Sequence, residues 1–244
     1  MTRPYVTLSC AMSLDGYLDS AAPLKLAMSN DADFDRVDQL RAENDAIMVG
    51  ASTVRRDDPR LLVRSEERRE LRRAAGRPAS PAKVTITETG DLPPESHFFT
   101  AGDAEKLVYC PASRAARISR ALGDLATIVG IGPRVTMAAV LDDLAQRGIA
   151  RLMVEGGGHL HTQFLCEELA DELQLVVAPF FVGEKRAPRF VEPGPFPWTA
   201  KHRARLADTR RIGDVVLLRY ALSDRCPQTV AEAAEAAARL HAHS

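Results

Sequence analysis

Short apolar runs alternate with amphipathic stretches along most of this chain, and that alternation limits the fold more than any other feature. "YVTLSCAM" (5–12), "DAIMVG" (45–50), "AKVTITET" (82–89), "KLVYC" (106–110), "LATIVGI" (125–131) and "IARLMVEGG" (149–157) have the length and β-branched content of buried strands. Between them, "DADFDRVDQLRAEN" (31–44), "SRAARISRAL" (113–122), "TMAAVLDDLAQRG" (136–148) and "HLHTQFLCEE" (159–168) repeat apolar residues at helical spacing. In the first of these helices Phe34, Val37 and Leu40 form the apolar stripe, and acids crowd its start, as a helix N-terminus favours. Apolar strands separated by helices predict an α/β fold whose mostly parallel central sheet is flanked by helices on both faces. After Asp171 the pattern changes. "ELQLVVAPFFVG" (172–183), "KHRARLADTRRIG" (201–213) and "DVVLLRYAL" (214–222) leave no room for a helix between the last two, which predicts an antiparallel C-terminal edge.

With 244 residues, 45% of them hydrophobic, the chain can bury one sizeable core, and the reading is a single domain over 1–222 followed by a helical appendage or tail over 223–244. The 32 basic and 33 acidic residues leave a formal net charge of -1, so no overall field favours nucleic acid or an anionic membrane. The expected partner is a small-molecule substrate, and any anion site must be local. No run long enough to span a bilayer and no signal-peptide pattern appear, so the expected location is cytoplasmic. The four cysteines are scattered without a C-x-x-C spacing and predict neither a zinc site nor a disulfide framework.

Three clusters can carry chemistry. In "LMVEGGGHL" (152–160) an apolar strand ends at Glu155, and Gly156, Gly157 and Gly158 precede a helix. Free N–H groups at that helix start would bind an anion such as phosphate, whereas a tight turn that needs positive φ is the plainer alternative. His159 and His161, two positions apart, would point to different sides of the helix, which argues against shared metal ligation. In "DAIMVGASTVRRDDPRLLVR" (45–64) a strand enters Gly50, Ser52 and Thr53 follow, and Asp57 and Asp58 precede Arg60 and Arg64. This suits either a second backbone contact with a cofactor and an arginine phosphate clamp, or a capped short helix with paired charges. In "CAMSLDGYL" (10–18) a polar turn follows a strand at the end of the sheet where α/β proteins place ligands, and Asp15-Gly16 equally fits an ordinary turn. The arginine-rich segment 64–83 carries six arginines and three glutamates and reads as a solvated helix and linker rather than a phosphate patch.

Taken together, "AMSLDG", "LRAENDAIMVGASTVRRDDPRLLVR" and "LMVEGGGHL" followed by "DELQLVVAPFFVG" resemble the reductase domain of bacterial riboflavin biosynthesis, over roughly Tyr5 to Leu222. That resemblance implies a dihydrofolate reductase-like fold and an NADPH-dependent oxidoreductase. The reaction would convert the ribosyl group of a 5-amino-6-(5-phosphoribosylamino)pyrimidine into a ribityl chain. By motif it assigns Ala11, Gly50, Thr53, Asp57, Gly156, Gly157, Gly158, His159 and Leu160 to the cofactor, and Arg41, Lys25, Leu61, Arg64 and Glu155 to the substrate. Glu155 and Asp57 are its catalytic candidates, and a homodimer is implied. Two departures from the family pattern stand out. The H-x-E and P-C-x-x-C motifs of the zinc deaminase domain found in the bifunctional enzymes do not occur, and Leu24, Lys25 and Ala27 replace the family's serine and tryptophan types in the substrate wall. The alternatives are a paralogous reductase of another pterin-like substrate such as dihydrofolate and a non-catalytic NADP-binding module. Thr87, Arg114 and Arg134 are candidates for a 2′-phosphate contact.

Overall fold

The computed structural model describes residues 2–22 and 25–227, so Leu24 and most of the expected C-terminal appendage lie outside the described residues. Nine strands form one sheet: β1 (Tyr5–Ser13), β2 (Ala46–Gly50), β3 (Ala82–Ile86), β4 (Lys106–Cys110), β5 (Thr127–Gly130), β6 (Arg151–Gly156), β7 (Glu172–Ala178), β8 (Arg205–Ile212) and β9 (Val215–Ala221). Their order is β5-β4-β3-β2-β6-β1-β7-β9-β8. The first seven strands pair in parallel. The last three pair antiparallel, with β9 and β8 forming the expected edge.

The helices are α1 (Asp31–Glu43), α2 (Ala51–Asp57), α3 (Glu66–Ala74), α4 (His97–Thr100), α5 (Ala112–Leu122), α6 (Met137–Gln146) and α7 (Gly158–Cys166). Alternation along each strand divides the core in two. Met48, Val84 and Val154 pack against Leu141 and Leu144 of α6 and Phe164 of α7 on one face. Ile47, Val49 and Met153 pack against Leu40 of α1, Val54 of α2, Phe99 of α4 and Ile118 of α5 on the other. Both faces of the parallel strands are covered, which explains why these strands read as continuous apolar runs.

Some local expectations change. Phe34 is not part of the α1 core stripe; it is exposed, and the guanidinium of Arg64 lies 5.7 Å above its ring. Segment 64–83 does form a helix, α3, but its arginines do more than face water. Arg68 spans Asp35 and Asp38 of α1. Arg72 is buried and donates to the carbonyls of Ala42 and Asn44 at 2.7 and 2.8 Å, satisfying the end of α1. The chain also stays tied to the sheet past Leu222: Ser223 and Arg225 both bond to Asp171, a fully buried carboxylate that Arg3 holds with two contacts of 2.7 and 2.9 Å.

Candidate active site

The C-terminal tips of β6, β2 and β3 stand side by side, and a cavity of about 460 Å³ opens across them. That volume lies within the range of small-molecule and cofactor sites. Gly50, Thr53, Gly156, Gly157, Gly158, His159 and Leu160 line it, as does Thr87. Most of the residues expected at the cofactor are therefore gathered on one wall. Ala11 lies elsewhere, on β1, where it packs against the small cluster of Val176, Val215 and Leu217. Asp57, in the last turn of α2, meets Lys25 at 3.3 Å and Arg56 at 3.1 Å. Arg114 and Arg134 are not among the lining residues.

The three consecutive glycines have different physical causes. Gly156 and Gly157 have φ of 136° and 92°, conformations that L side chains rarely adopt. Gly157 sits at the N-cap of α7, and no side chain caps that helix. Its first N–H groups are thus left for a ligand, and the helix start favours negative charge. Gly158 has ordinary backbone angles, but a Cβ there would lie 2.3 Å from the carbonyl oxygen of Arg189. Its missing side chain serves the close approach of segment 187–192, where Arg189 makes an isolated bridge to Tyr17. That segment contributes Pro188 and Glu192 to the cavity rim, with Glu192 bonded to the His159 ring at 3.1 Å. His161, one turn inside α7, is fully buried, and burial pushes its pKa down to about 4. It is a neutral packing residue.

Glu155 and Arg41 meet on the α1 face of the sheet. Arg41 Nε and Nη2 donate to the two carboxylate oxygens at 2.6 and 2.7 Å, and its Nη1 donates to the Leu62 carbonyl at 3.3 Å. Both side chains are largely shielded, with 17% and 15% exposure, so the pair is a preset bidentate contact rather than a surface ion pair. Leu61 is buried in the core beneath α1 with φ of 50°. Arg64 projects outward, its Nη2 bonded to the Phe34 carbonyl at 3.1 Å. The turn after β1 is a rigid joint. Asp15 accepts from the Ser13 hydroxyl and from the N–H groups of Val182 and Gly183, which hold its carboxyl down at about 2. Asp15-Gly16 is thus the turn pair, with Gly16 at φ 84°.

Residues that the sequence motifs did not single out also reach the cavity: Arg55, Arg56 and Glu88 line it. Glu88 follows the last residue of β3 by two positions, a placement readable only once strand order puts the β3 tip beside β2.

This arrangement joins a phosphate-type cradle to a shielded acid–base pair at the same end of one parallel sheet. The RibD C-terminal domain model matches residues 4–218. The chain belongs to that family. Named relatives match most of its length. The 2,5-diamino-6-ribosylamino-4(3H)-pyrimidinone 5′-phosphate reductase of Archaeoglobus fulgidus is 35% identical over 213 residues, covering 87% of this chain and 95% of that protein. Its counterpart from Methanothermobacter thermautotrophicus is 36% identical, covering 78% and 84%. Among solved structures, Acinetobacter baumannii RibD superposes with a TM-score of 0.73 at 27% identity, and this chain spans 58% of that longer protein. The pyrimidine reductase-like protein of Corynebacterium diphtheriae has the same fold, with a TM-score of 0.76 at 21% identity over 89% of this chain and 91% of its own. As a RibD C-terminal domain, the chain has the reductase-domain fold that its motifs predicted.

Proposed function

We propose that this protein is a reductase of the riboflavin pathway that converts the ribosyl group of 2,5-diamino-6-ribosylamino-4(3H)-pyrimidinone 5′-phosphate to ribityl. The observation that carries the reading is the uncapped glycine start of α7, opening into a cavity across β6, β2 and β3 while Glu155, the residue before the three glycines, is held by Arg41 on the α1 face of the sheet. The names of the relatives that this chain matches over most of their length support the choice of substrate. When bound, a reduced nicotinamide dinucleotide supplies the hydride; the resemblance implies NADPH. The residues present fit such a group. The α7 N–H groups and the side-chain-free Gly156 and Gly157 would hold the pyrophosphate, and Thr53 Oγ1 lies 3.4 Å from where a Gly157 Cβ would stand.

Reduction opens the furanose: hydride adds at the anomeric carbon, the bond from that carbon to the ring oxygen breaks, and the oxygen takes a proton. The protein's tasks are to align, polarise and exclude water. Glu155 would accept hydrogen bonds from the pyrimidine or the sugar, and Arg41 holds its carboxylate in one orientation. Because Arg41 is already committed to Glu155, the substrate phosphate falls to the exposed Arg64 and to Lys25. Asp57, paired with Lys25, would border the same space. We place the reaction in the cytoplasm and the protein in a homodimer, whose exposed apolar residues include Phe181 and Val216. Among the described residues, no helix is long and apolar enough to cross a membrane.

A substrate panel tests this reading. The diaminopyrimidinone phosphate should drive cofactor oxidation, more efficiently than the deaminated 5-amino-6-(5-phosphoribosylamino)uracil. Turnover of dihydrofolate alone would move the protein to a different reductase class.

A further inference from the structure

The cavity has two ends. One borders β6, where Glu155 marks the side on which a substrate must lie. The other lies over the tip of β3, two strands away, where Ile86, Thr87, Glu88 and Thr89 line it together with Val135 and Met137. Strand spacing places those two ends about 10 Å apart. With the pyrophosphate on the α7 N-terminus and the reacting end toward Glu155, the adenosine half of a dinucleotide falls over the β3 tip. Ile86, Val135 and Met137 give that end an apolar floor for a base. Its polar groups decide which ribose it accepts.

Three guanidiniums reach this region, and each is engaged; that of Arg117 donates to the Thr89 carbonyl. Arg55 Nη1 donates to the Asp91 carbonyl at 2.7 Å, and its Nε lies 3.6 Å from the Asp91 carboxylate. Arg56 pairs with Asp57. The Thr87 hydroxyl accepts from the Gly90 N–H at 2.8 Å. Glu88 is different: it is exposed at the cavity, and among the described residues no ion pair of Glu88 is found. An unpaired carboxylate accepts hydrogen bonds from a diol and repels a phosphate dianion. In dinucleotide sites generally, an acid at a strand end marks a ribose 2′-hydroxyl, whereas an arginine marks a 2′-phosphate.

We propose that Glu88 is the residue that sets cofactor choice, and that it reads the ribose 2′ position as a hydroxyl. The protein then uses NADH at least as well as the NADPH that the family resemblance implies. The inference rests on the cofactor placement proposed above, and it can fail independently of it.

Binding measured without any pyrimidine substrate tests it. Fluorescence titration of the purified full chain should give a dissociation constant for NADH equal to or below that for NADPH. Glu88→Gln and Glu88→Ser should move the NADH-to-NADPH preference toward NADPH by on the order of 10-fold, about 1.4 kcal/mol. The exposed position of Glu88 makes both variants compatible with folding, which thermal unfolding would verify. Titration with 5′-AMP and with adenosine 2′,5′-bisphosphate isolates the same discrimination from the nicotinamide half. Wild-type preference for NADPH by more than about 10-fold, or an unchanged ratio in both variants, would overturn the role of Glu88 while leaving the reductase reading intact. Binding of neither dinucleotide would overturn both.

Discussion

At the scale of the residue, three adjacent glycines turn out to do two jobs. Gly157 has a backbone conformation and a position at the α7 start that suit a ligand, whereas Gly158 is fixed by the Arg189 carbonyl 2.3 Å from its absent Cβ. Substitutions should separate them. Gly157→Val is expected to weaken dinucleotide binding by at least about 10-fold while circular dichroism stays native, since the backbone can no longer be approached. Unaltered affinity would reduce the loop to a plain turn. Gly158→Ala is expected to cost roughly 1–3 kcal/mol in denaturant unfolding, the usual range for forcing an atom into a packed site. A neutral effect would mean that segment 187–192 yields freely. The sequence made the glycine run conspicuous. It held no sign of the second cause, because Arg189 arrives from about thirty positions downstream. The Glu155–Arg41 contact was hidden for the same reason: each residue was singled out, but only the fold brings a residue of α1 against the end of β6.

Among the elements, α7 ties the cavity to the core. His161 lies one turn inside it, sealed from water, with its pKa lowered to about 4. An unfolded histidine titrates near 6.5, so between that value and about 4 the unfolded state binds more protons than the folded one. The stability from keeping this imidazole neutral is complete above about pH 6.5 and is lost progressively as pH falls toward 4, on the order of 3 kcal/mol in all. Melting temperature measured from pH 7 to 4 should therefore decline, and His161→Gln should decline less steeply. Equal slopes would show that other groups set the acid limb. Helix periodicity placed α1, α5, α6 and α7 well, yet it read Phe34 as core and missed the inward turn of Arg72. Period alone records which face is apolar, not which neighbour arrives; Arg72 is buried because the α1 end offers it two carbonyls. Lys83, inside β3, is a further case, lodged where the Phe98 and Ala101 carbonyls accept its ammonium at 3.0 and 2.6 Å.

For the whole molecule, the sheet was legible because parallel strands covered by helices are mostly apolar, polar exceptions such as Lys83 aside, and the antiparallel edge because no helix fits between β8 and β9. How Arg3 and residues 223–225 are fastened to the sheet was not legible. Asp171 gathers Arg3, the Val6 N–H, Ser223 and Arg225 at the base of β1 and β7. Asp171→Ala would leave these groups unsatisfied, with an expected cost on the order of 3 kcal/mol. For a domain of this size that corresponds to roughly 10 °C in melting temperature. A shift of a degree or two would show these contacts to be dispensable. Under the proposed function, hydride passes from a dinucleotide on the glycine loop to the sugar of a pyrimidine phosphate. The direct measurement is mass spectrometry of the product formed with the diaminopyrimidinone phosphate and a reduced cofactor in which both nicotinamide C4 hydrogens are deuterium. The account predicts that one deuterium appears at the former anomeric carbon of a ribityl product; an unreduced ribosyl group, or a reduced product without the label, would contradict it.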